Sequence, residues 1–101
     1  MVYALKYFDE VETDILEAVL WYREQNNGLE IKFINAIEIA INSILKHPKN
    51  YTIRYKNVRI AHPKIFPFNI NYYLDDVYNT VVVIAIVHNK RNPAITKKRK
   101  Y

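Results

Sequence analysis

The chain has no cysteine, one glycine and one serine among its 101 residues. The missing cysteine excludes a disulfide framework, a thiol nucleophile and a cysteine-ligated metal. A single glycine, Gly28, leaves no phosphate-cradling loop and no dinucleotide fingerprint, since both need several. The only serine, Ser43, falls inside a helical pattern, so a strand-to-helix nucleophile elbow is not available. His47, His62 and His88 are far apart with no carboxylate at ligand spacing, and we expect no metal and no cofactor. No apolar run approaches the roughly 20 residues that span a bilayer, and the start lacks a signal-peptide apolar stretch. We therefore expect a cytoplasmic protein with no membrane partner.

Acids are also scarce in the second half. Residues 1–45 hold eight acids and three bases, a net of −5, whereas residues 46–101 hold two acids and twelve bases, a net of +10. Such a split points to a polyanionic partner for the basic part, nucleic acid first among them, and leaves the acidic half to face away and orient the approach. A solvated basic face is the plainer explanation. Half of the residues are apolar, enough for one folded domain with one modest core.

What is present falls into two periodicities. Residues 2–7 read as a short strand. Asp9 reads as a helix N-cap with Glu12 three residues on, a capping-box pattern. Val11, Ile15, Ala18, Val19 and Tyr22 recur at helical spacing, so a helix over 9–25 is predicted, closed by Asn26-Asn27-Gly28 with Gly28 as its left-handed cap. Leu29, Phe33, Ile37, Ala40, Ile41, Ile44 and Leu45 predict a second helix over 29–46, which Pro48 stops. The tight turn between them makes an antiparallel helical hairpin. After Tyr51 the pattern alternates. Val58 and Ile60 alternate with Arg59 and Ala61, which points Arg59 away from the apolar face. Phe66, Phe68, Ile70, Tyr72 and Leu74 oppose Asn69, Asn71, Tyr73 and Asp75, and Asp75-Asp76 opens a turn. Residues 81–87 are seven consecutive apolar residues, a strand buried on both faces that ends in His88, Lys90 and Arg91 before Pro93. The predicted fold is α+β: an N-terminal strand and a helical hairpin packed on a mainly antiparallel four-stranded sheet. Residues 94–101, with Lys97, Lys98, Arg99 and Lys100, read as a flexible basic tail on a single domain spanning 1–101.

The chemistry left to such a chain belongs to Arg, Lys, His and Tyr. Metal-free RNA cleavage needs a base for the 2′-hydroxyl proton, an acid for the leaving oxygen and cations for the phosphate. His62 or His88 could move the protons, with Arg59 and Arg91 as phosphate clamps. Each of these residues also has an ordinary structural explanation. A plain nucleic-acid-binding module with exposed Tyr73 and Tyr78 is a further reading, although stacking modules usually carry glycines that this chain lacks.

The ordered set resembles the RelE/ParE family of bacterial toxins over almost the whole chain. It comprises a strand and a helical hairpin with Trp21-Tyr22 ahead of Gly28-Leu29 and Phe33. Arg59, Phe66-Pro67-Phe68-Asn69-Ile70-Asn71-Tyr72, a Val/Ile strand and His88-Asn89-Lys90-Arg91-Asn92-Pro93 follow. The resemblance implies the toxin half of a type II toxin–antitoxin system, of the kind associated with plasmid stabilization, inhibiting growth until a cognate antitoxin binds it in a hetero-oligomer. The antitoxin is expected to lay an amphipathic helix or strand over hydrophobic grooves, its acids meeting the basic half. ParE-like members act on DNA gyrase. RelE-like members cut mRNA on the ribosome with basic sheet residues and a residue near the C-terminus. The long hairpin and the Phe-Pro-Phe and Arg-Asn-Pro segments look ParE-like, so a gyrase inhibitor is expected, with a ribosome-dependent mRNA endoribonuclease as the alternative. If RelE-like, the catalytic set is Arg59, His62, His88, Arg91 and Tyr101. Lys56 and Lys64 match the paired lysines of that site only loosely. The target-binding set is Arg59, Lys64, Lys90, Arg91, Lys97, Lys98 and Arg99.

Overall fold

The computed structural model describes residues 2–90 and 99. β1 (Ala4–Tyr7) leads directly into α1 (Asp9–Gln25), then α2 (Leu29–Lys46) and a single 3-10 turn at Pro48–Asn50. β2 (Thr52–Tyr55), β3 (Val58–Ala61), β4 (Phe68–Asp75) and β5 (Thr80–His88) follow. Both helices occupy the spans that periodicity predicts. The strands form one sheet in the order β1-β5-β4-β3-β2. β1 runs parallel to β5 and every other pair is antiparallel. The sheet therefore has five strands rather than the expected four. The extra one, β2, is short and exposed over Thr52, Ile53 and Arg54, so no apolar alternation announces it.

The start of α1 also differs from expectation. Phe8, not Asp9, is the N-cap, and no side chain caps the helix. Phe8 donates its N–H to Val83 O at 2.9 Å, so the sheet itself holds the junction and leaves no room for a capping box. Asp9, Glu10 and Glu12 still favour the positive end of the helix dipole. Gly28 is left-handed, with φ +91°, but it serves as N-cap of α2 instead of closing α1. A Cβ there would meet nothing within 4 Å, so the demand for glycine comes from the backbone alone. The turn is tied by the Glu30 carboxylate, which accepts the Gly28 N–H at 2.8 Å and pairs with Arg23 at 3.3 Å.

The core lies between the hairpin and one face of the sheet. Tyr22, Phe33, Phe66 and Phe68 form an aromatic cluster with centroids 4.9 to 6.1 Å apart, several edge-on. Ile37, Ile41, Ile44, Ile70, Tyr72, Val81, Val83 and Ile86 extend it. A second buried set, Val58, Val82, Ile84, Ala85 and Val87, lies on the opposite face. The unbroken apolar run of β5 follows from this, because β5 lies between β1 and β4 and is buried on both sides. Its alternation slips once. Asn71 pairs with Ala85 and Tyr72 with Val83, leaving Ile84 as the extra residue of a bulge.

The bulge is held from α1. The Asp14 carboxylate, buried in the middle of the helix's inner face, accepts the Ile86 N–H at 3.0 Å. Arg99 donates to both oxygens of the same carboxylate, at 2.7 and 2.9 Å, and to Ile84 O at 2.8 Å. The two side chains are 11% and 4% exposed, so this is a buried, bidentate ion pair. The bond to Asp14 raises the Arg99 pKa above its ordinary value, against burial, which lowers it. The Arg99 side chain is thus held between α1 and β5; the rest of the segment 94–101, expected to be a flexible basic tail, lies outside the described residues.

Candidate functional site

Two segments bring the candidate residues to one end of the sheet. His62 follows β3, Lys64 sits in the segment between β3 and β4, and His88 and Lys90 end β5. Phe66-Pro67-Phe68 holds these ends together. Phe68 is the cross-strand partner of His88, and their rings meet edge-on at 5.4 Å. The Phe68 carbonyl lies 3.0 Å from His62 Nδ1, and the Pro67 carbonyl accepts the Asn89 N–H at 2.8 Å.

The two imidazoles present opposite faces of their chemistry. A carbonyl can only accept, so His62 Nδ1 carries the proton and Nε2 is left as an acceptor in the neutral ring. His88 Nδ1 instead accepts the Lys90 N–H at 3.1 Å, which places the neutral ring's proton on Nε2. Lys64 and Lys90 are exposed beside them.

Arg59 is placed differently from the expectation. It lies opposite Tyr72 across the β3–β4 pair and shares its face, toward the helices. Its Nη1 donates to Tyr51 O at 2.7 Å and to Lys49 O at 3.1 Å. Tyr72 does related work, donating its hydroxyl to Pro48 O at 2.6 Å. Together they anchor the 3-10 turn after α2 to the sheet. Burial pushes the Tyr72 phenol well above its ordinary range, Arg59 opposes that shift and Tyr51 adds to it. Burial likewise raises Tyr22.

The expected constellation is therefore brought together in part. His62, Lys64, His88 and Lys90 share one end of the sheet. Arg59 is turned toward the helix layer and Arg99 is buried on Asp14, so neither joins that group. Arg91, Lys97, Lys98 and Tyr101, also expected in the site, lie outside the described residues. Asp14 and Ile65 are structural participants that the sequence did not single out. Asp14 had a signal: an acid three residues after Val11 and four before Ala18, inside the apolar stripe.

Two clefts flank the aromatic cluster. A groove of about 660 Å³ runs between α2 and the β3–β4 segment and includes Ile39, Tyr51, His62, Lys64, Ile65 and Phe66. A smaller cleft of about 250 Å³ lies between α1 and the end of β5, with Asp14, Glu17, Trp21, Phe68 and His88 on its walls. The histidines thus open onto different clefts on either side of Phe66 and Phe68. No helix among the described residues is long and apolar enough to cross a membrane.

No protein-family model matches the chain, and no curated protein matches it. Solved structures do. The chain superposes on a component of the chromosomal ParDE toxin–antitoxin system from P. aeruginosa with a TM-score of 0.75 at 12% identity, covering 86% of this chain and 96% of that one. The isolated E. coli RelE toxin matches with a TM-score of 0.60 at 12% identity, over 94% and 93% of the two chains. The toxin–antitoxin complex RelBE2 from Mycobacterium tuberculosis matches with a TM-score of 0.58 at 15% identity, over 87% and 99%. With its N-terminal strand, helical hairpin and antiparallel meander, the chain has the RelE/ParE fold.

Proposed function

We propose that this chain is the growth-inhibiting toxin of a type II toxin–antitoxin pair, that it acts on DNA gyrase in the ParE-like manner, and that a cognate antitoxin neutralises it in the cytoplasm. The observation that carries the choice of target is the position of Arg59. A phosphate clamp must present its guanidinium to the RNA, whereas Arg59 spends Nη1 on the Lys49 and Tyr51 carbonyls and faces the helix layer. One cation that an mRNA-cutting site would draw on is therefore engaged on backbone carbonyls. Induced expression, alone and together with the adjoining small gene, tests the toxin reading. Expression alone should arrest growth and co-expression should restore it; unimpaired growth from a soluble, folded product overturns it.

One observation favours the second reading, a ribosome-dependent, metal-free mRNA endoribonuclease. His62 and His88 sit at the same end of the sheet, and imidazoles are the side chains best suited to supply the base and the acid of metal-free cleavage. Messages should be cut during the arrest on this reading, and His62→Gln with His88→Gln should abolish the cutting while the fold is kept. On the gyrase reading messages stay intact and the double variant still arrests growth.

A further inference from the structure

The outer face of the helical hairpin carries four large aliphatic side chains that stability does not explain. Leu16 and Leu20 are 56% and 48% exposed on α1, and Ile31 and Ile34 are 60% and 37% exposed on α2. The members of each pair are one helical turn apart, so each pair shares one side of its helix. That side faces solvent, whereas Val11, Asp14 and Ala18 of α1 and Phe33, Ile37, Ile41 and Ile44 of α2 face the core. The Tyr22–Phe33 and Arg23–Glu30 contacts set the register of the two helices, which brings Leu20 level with Ile34. The four side chains form one patch.

The patch is ringed by one sign of charge. Positions 12, 16, 20 and 24 of α1 repeat at one-turn spacing as Glu-Leu-Leu-Glu. On α2, Glu38 follows Ile34 by one turn and lies level with Leu16 in the same register. Glu12, Glu24 and Glu38 are all exposed. The neighbouring cations are turned elsewhere: Arg23 pairs with Glu30, and Lys32 borders the groove between α2 and the β3–β4 segment.

We propose that this face docks the chain on its target, and that it takes a cationic protein surface with apolar side chains at its centre, of the kind that grips DNA. Carboxylates accept the same Arg and Lys contacts as phosphates. Glu12 and Glu24 stand about 18 Å apart along α1 with the apolar patch between them, so charge steers the approach and apolar burial holds the contact. Charge works against two other occupants. A second copy would set two acidic hairpins face to face, each from a half-chain of net −5. An acidic segment, such as the antitoxin is expected to present, is repelled in the same way. The occupant's identity rests on the gyrase reading: the chain meets that enzyme's DNA-holding surface with its acidic helices rather than with the basic end of the sheet.

The test is biolayer interferometry of the full chain on purified gyrase, with Glu12→Lys, Glu24→Lys and Glu38→Lys combined in one variant and Leu16→Ser with Ile31→Ser in a second. All five side chains are exposed, so both variants should keep the wild-type circular dichroism and, in calorimetry, their affinity for the product of the adjoining small gene. Each should bind gyrase at least about tenfold more weakly, and the lysine variant should also lose the salt dependence of wild-type binding. Gyrase binding that both variants retain within about twofold overturns the docking face and leaves the gyrase reading standing. Variants that keep gyrase but lose the small-gene product, or that turn a wild-type dimer into monomer, give the face to the antitoxin or to a second copy and overturn it as well. A wild-type chain that does not bind gyrase overturns both the face and the gyrase reading.

Discussion

Replacing Asp14 by alanine should be among the most damaging single changes to this fold. The carboxylate accepts three hydrogen bonds that join α1, the β5 bulge and Arg99, and its side chain is 4% exposed. Removing it leaves a guanidinium at 11% exposure without its counter-charge and the Ile86 N–H without its acceptor. Breaking a buried pair from one side costs about 3–5 kcal/mol. A domain of this size has a total stability of roughly 5–15 kcal/mol, so the variant should lose a large share of it. The corresponding fall in Tm is roughly 12 °C or more. Removing both charges together, as Asp14→Leu with Arg99→Met, should cost less than the sum of the single changes, because no buried charge is left alone. The coupling between the two sites should be about 1–3 kcal/mol. Urea unfolding followed by circular dichroism and by Trp21, the single tryptophan, on the wall of the same cleft, measures all four corners of the cycle. A loss below about 1 kcal/mol for Asp14→Ala, or strictly additive single changes, would refute the assignment of a buried structural pair.

Tyr72→Phe should cost about 1–2 kcal/mol by leaving the buried Pro48 carbonyl without its donor, measurable by the same unfolding. It should also alter the alkaline limb of stability. Burial holds the folded phenol above its ordinary value of 10.0, so the unfolded chain ionises first, and stability is full below that pH and falls as pH rises past it. The variant should show a shallower fall above pH 10, with Tyr22 and Tyr7, also raised by burial, accounting for the remainder. Arg59→Ala should lower stability by about 1–3 kcal/mol, less than a buried pair because the side chain is only half-buried, by freeing the Lys49 and Tyr51 carbonyls. Unchanged stability with lost toxicity per folded molecule would instead place Arg59 against the target.

Much of this architecture is written in local patterns. Both helices follow from apolar spacing punctuated by Gly28 and Pro48, and β5 from its β-branched run. The features that escaped the sequence are the ones decided at a distance. β2 has neither alternation nor burial to mark it. The direction of Arg59 is hidden because β3 is four residues long with Val58 buried on one face of the sheet and Ala61 on the other, so neither side declares itself the core. Asp14 and Arg99 are 85 residues apart, and no local rule joins an acid in the first helix to a base near the end of the chain. Of the site, the gathering of His62, Lys64, His88 and Lys90 was legible as a set of strand ends. The removal of Arg59 and Arg99 from it was not, because that depends on carbonyls and carboxylates contributed by other elements.

The central claim is that the chain is a toxin whose target is gyrase. Its most direct measurement is DNA supercoiling by purified gyrase titrated with the purified, folded chain, with and without the antitoxin. Inhibited supercoiling or trapped DNA breaks that the antitoxin reverses is the expected result. Unimpeded supercoiling, with messages cut in translating extracts by the same preparation, would contradict it.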